Sequence, residues 1–61
     1  MNENEDLKRL AQQTILHSME QVTSEIEYVA DNAVADSENR IFVLSESMKK
    51  LTEAFMKIER L

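Results

Sequence analysis

The chain reads as all-α: one long amphipathic helix in an oligomeric coiled coil or helix bundle, running antiparallel to its neighbours. Three observations lead there. The 61 residues contain no Gly, Pro, Cys or Trp. A single apolar stripe follows a helical period through most of the length. The charges are unevenly placed, with a long acidic stretch free of Lys and Arg before a more basic end.

Length sets the first constraint. A chain this short buries too small a fraction of its surface to be comfortably stable alone, and small domains add disulfides, a metal or partner chains. There is no Cys, and His17 has no second histidine to complete a metal shell. Partner helices, from the same chain or another, are what remains.

Composition excludes several classes. Without Gly there is no phosphate-cradling loop or dinucleotide-binding turn. No apolar run approaches the ~20 residues of a membrane span. The start, Met1-Asn2-Glu3-Asn4-Glu5-Asp6, is polar and acidic, unlike a secretory leader. A net charge of −5 argues against an anionic partner, so no nucleic acid is expected. The default location is cytoplasmic.

In chain order, residues 1–5 form a frayed polar N-terminus and 6–61 the helical oligomerisation segment. At about 100° per residue, Ile15, Met19, Val22, Ile26, Val29, Ala30, Ala33, Ser37, Ile41, Leu44, Met48, Leu51, Phe55 and Ile58 share about 120° of arc. Of these, Ile15, Met19, Val22, Ile26, Val29, Ala33, Ile41, Leu44, Met48, Leu51, Phe55 and Ile58 are the candidate oligomer interface. Met19 to Val29 fit one heptad frame and Ile41 to Ile58 another. The one-residue slip between them relaxes the supercoil.

The only candidate turn is Val29–Asn39. Asn32 could take a left-handed cap, and Asp36 or Ser37 could cap a second helix. That gives the alternative architecture, a helical hairpin turning near 31–37 and dimerising into a four-helix bundle. The absence of Gly and the unbroken phase of the stripe favour the continuous helix, roughly 80 Å long. The stripe reaches Ile58 and Leu61 with no capping residue behind it, the pattern of a helix that continues.

Leu10 to Asn39 holds six acids and no Lys or Arg; Arg40 to Leu61 holds five bases and three acids. Parallel helices in register would set like against like, and antiparallel ones bring Glu20–Glu27 towards Lys49–Lys50. Each exposed pair is worth only a few tenths of a kcal/mol. The same order suits the helix dipole of a single chain. The flanks of the stripe are small: Ser18, Thr23, Ala30, Ser45, Ser47, Thr52 and Ala54. Small flanks suit three or four helices better than a two-stranded zipper.

Phe42 and Val43 miss the stripe. They widen the core near the middle of the chain, or they form a partner-docking patch. Leu7, Leu10 and Leu16 miss it too. His17 lies on the polar face and reads as a solvated histidine. Ser24, Ser45 and Ser47 have no base beside them. Glu46–Lys50 and Glu53–Lys57 have helical pair spacing, so the late bases read as a salt-bridged surface. No catalytic, cofactor-binding or metal-binding residue is assigned.

The run of Ser, Ala, Asn and Glu across Val29–Asn39 resembles the cytoplasmic helical bundles of chemoreceptors. The near-equal arms resemble in outline the small helical-hairpin regulators of plasmid copy number. No residue role is taken from either. The reading is a non-enzymatic oligomerisation or assembly module that buries its stripe against other helices. The alternatives are a segment of a signal-transducing bundle and a hairpin that binds nucleic acid through Lys49–Arg60.

Overall fold

The chain folds into two helices that pack on each other. The computed structural model describes residues 3–61. Helix α1 spans Glu3–Asp31 and helix α2 spans Ser37–Glu59, joined by residues 32–36. There is no strand among the described residues. Of the segment expected to fray, Met1 and Asn2 lie outside the described residues, while Glu3–Glu5 already belong to α1. Glu3, Glu5 and Asp6 fill its first turn, where carboxylates meet the positive end of the helix dipole.

The single helix over 6–61 is therefore corrected. The Cα trace extends 49 × 15 × 9 Å, against roughly 80 Å for an unbroken rod. The reversal needs no glycine. Asn32 ends α1 twice over: its backbone N–H donates to the Tyr28 carbonyl at 3.1 Å, and its side-chain Nδ2 donates to the same oxygen at 2.8 Å. The left-handed residues are Ala33 (φ 49°) and Asp36 (φ 61°), not Asn32. A left-handed non-glycine residue costs roughly 1–2 kcal/mol. Two such residues are tolerated because folding back lets each half of the stripe cover the other, which a lone rod cannot do.

Asp36 occupies the N-cap of α2 with no side-chain cap hydrogen bond. Its carbonyl accepts from the Arg40 N–H at 3.1 Å. Its Oδ1 accepts from Asn39 Nδ2 at 3.0 Å, which ties the turn to the first turn of α2. At the far end, Gln12 Nε2 donates to Glu59 Oε2, across 47 positions of sequence. That contact places the third turn of α1 beside the end of α2.

The seam between the helices is the stripe. Val29 is 1% exposed and is the one fully buried side chain among the described residues. Ile15, Met19, Val22, Ile26, Ile41, Leu44, Met48, Leu51, Phe55 and Ile58 are half-buried. Ala33 and Ala30 are exposed. Ala33 lies outside the seam between the two helices because its left-handed backbone places it in the turn, where helical phase no longer applies.

Candidate helix-docking surface

Along the seam, apolar side chains are only half covered. A helix in a two-helix pair touches one neighbour and leaves much of a 120° stripe open. Val29 escapes because the turn holds α2 close beside it.

The small flanking residues divide into two sets. Ala11, Ser18, Ser47 and Ala54 are half-buried, whereas Thr23, Ala30, Ser45 and Thr52 are exposed. Four helical hydroxyls are satisfied within their own helix. Thr14, Thr23, Ser47 and Thr52 donate Oγ–H to the carbonyls of Leu10 (3.0 Å), Met19 (3.0 Å), Val43 (3.2 Å) and Met48 (2.9 Å). Hydroxyls bonded this way present little unmet hydrogen-bonding demand on a nominally polar flank.

Two shallow grooves open beside the seam, and a third lies on the outer side of α2, between Thr52, Glu53, Met56, Lys57 and Arg60. One lies at the turn, between Glu25 and Val29 of α1 and Asn39, Arg40, Val43 and Leu44 of α2, with Asp36 at its end. The other lies at the open end, between Asn4, Glu5, Leu7, Lys8 and Ala11 of α1 and Ile58 and Leu61.

Phe42 and Val43 are 65% and 61% exposed in the hairpin, so they do not widen the seam between its own two helices. Val43 lines the turn groove and Phe42 does not, as their 100° separation on the helix requires. Leu7, Leu10, Leu16, Tyr28, Met56 and Leu61 are exposed as well.

His17, Ser24 and Ser45 are exposed, and so are Glu25 and Glu27. Among the described residues, no group of three or more His, Asp or Glu side chains gathers where it could hold a metal ion. No helix there is long and apolar enough to cross a membrane. The Gln12–Glu59 bond and the half-buried Lys8 escaped the sequence reading. Both belong to a register that exists only once the turn is placed.

What the fold and its surface define is a two-helix hairpin with an incomplete core. Comparison with protein-family models, with curated proteins and with solved structures gives no match.

Proposed function

We propose that this chain is a non-enzymatic helical assembly module, which acts by burying the Ile15–Ile58 stripe against other helices. The observation that carries the reading is the half-exposed seam, with Val29 alone fully buried among the described residues.

Area gives the shortfall a size. A folded monomer of 7.1 kDa should expose about 4,100 Å² by the usual mass scaling. This hairpin exposes 4966 Å². The excess is about 900 Å², close to the ~800 Å² that each partner covers in a standard protein interface. At roughly 25 cal/mol per Å² of apolar surface, covering it is a strong drive. Charge supports helices as the partner. The acid-rich α1 and the charge-balanced α2 give a neighbouring helix surfaces of different net charge to choose between.

The test is the double variant Ile26→Glu with Leu51→Glu, followed by sedimentation and far-ultraviolet circular dichroism. Association and most of the helicity should be lost together. Unchanged mass and unchanged helicity would sink the reading.

A further inference from the structure

We infer that the occupant of the open side is a second copy of this chain, laid against the flank that carries both grooves; the inference rests on the assembly reading above. The two flanks of the hairpin are unlike. On one, Gln12 bonds Glu59 between the helices, and the helical angle brings Arg9, Glu20 and Glu27 of α1 round to the same side. The other flank holds the turn groove, at Glu25 and Val43, and the open-end groove, at Leu7 and Leu61. Between Leu7 and Tyr28 this flank of α1 has two charges, Glu25 and the groove-lining Lys8, and on α2 its charges are Arg40 and Lys50. It is also the flank of the half-buried Ala11, Ser18, Ser47 and Ala54. Interface cores are depleted in charge, and small residues let helices approach.

Charge selects the arrangement. Helix α1 carries seven acidic and two basic residues, and α2 carries four of each. A two-fold axis across the helices would set α1 against α1, acid on acid. A two-fold axis along them sets α1 of one copy beside α2 of the other. It also preserves levels along the bundle. Glu25 of one copy then lies within about a turn of Lys50 of the second, and every helix has antiparallel neighbours, as in a four-helix bundle. The area fits one such contact: the excess of about 900 Å² is a single partner's share.

The experiment is sedimentation equilibrium on three forms of the chain, with circular dichroism on each. Wild type should sediment at twice the 7.1 kDa chain mass. Leu7→Lys with Val43→Lys alters the grooved flank at residues 61% exposed in the hairpin, and should weaken the dimer about 100-fold while remaining helical at high concentration. Leu16→Lys with Met56→Lys alters the opposite flank and should change the dissociation constant less than about threefold. If the second pair dissociates the dimer and the first does not, the inference fails and the assembly reading stands. A particle larger than two chains that survives Leu7→Lys with Val43→Lys also overturns it. A wild-type mass of one chain at every concentration, with full helicity, removes both.

Discussion

The two ends of the hairpin are held differently. At the turn, Val29 is 1% exposed, Asn32 closes α1 onto the Tyr28 carbonyl, and Asp36 is tied to Asn39. At the open end, Leu7 and Leu61 are 61% and 89% exposed, and the cross-helix tie is the exposed Gln12–Glu59 bond. The apolar residues are of similar kind at both ends, so composition does not explain the contrast. Connectivity does. A short turn fixes the spacing of the helices beside it, and that constraint fades with distance, where only side-chain contacts can hold the pair. The open end is therefore the looser half of the pair.

The comparison can be broken most severely at its tight end. Val29→Asp puts a charge in the fully buried position, and should cost about 4 kcal/mol, enough to abolish cooperative unfolding in a small domain. Thermal melts followed by circular dichroism would show a broad, low transition. Next, Leu44→Ala beside the turn should cost about 2 kcal/mol, and Ile58→Ala at the open end about half of that under dilute conditions. Urea midpoints at matched concentration measure the ratio. Equal losses would mean that the ends are equally tight. Ala33→Gly should stabilise by about 0.5–1 kcal/mol, because its φ of 49° costs glycine nothing. That gain would appear as a raised melting point without a change in mass. Gln12→Ala should shift stability by less than about 0.5 kcal/mol, since an exposed hydrogen bond exchanges readily with water. A larger loss would mean that the open end relies on that bond.

The contrast between the ends also shows what could be read before the fold was known. The stripe was legible because Met19, Val22, Ile26 and Val29, and again Ile41, Leu44, Met48 and Leu51, keep a helical period whatever they pack against. The reversal was half legible. Asn32 and Asp36 mark the segment, but turn chemistry without Gly ranks below an unbroken pattern, and the stripe holds its phase through the loop. The structure resolves the conflict through Ala33 and Asp36, which accept left-handed backbones so that the stripe can fold onto itself. The difference between the flanks was hidden. Ser47 and Ser45 are alike in sequence, and only the position of α1 makes one half-buried and the other exposed.

The central claim is that the hairpin finishes its core with other helices. The most direct measurement is the thermal midpoint across a hundredfold range of chain concentration, with mass followed by sedimentation. If association completes the core, stability should rise by about 2.7 kcal/mol over that range. The midpoint should climb by about 10 °C, and the mass should exceed the 7.1 kDa of one chain. A fixed midpoint with a single-chain mass throughout would contradict it.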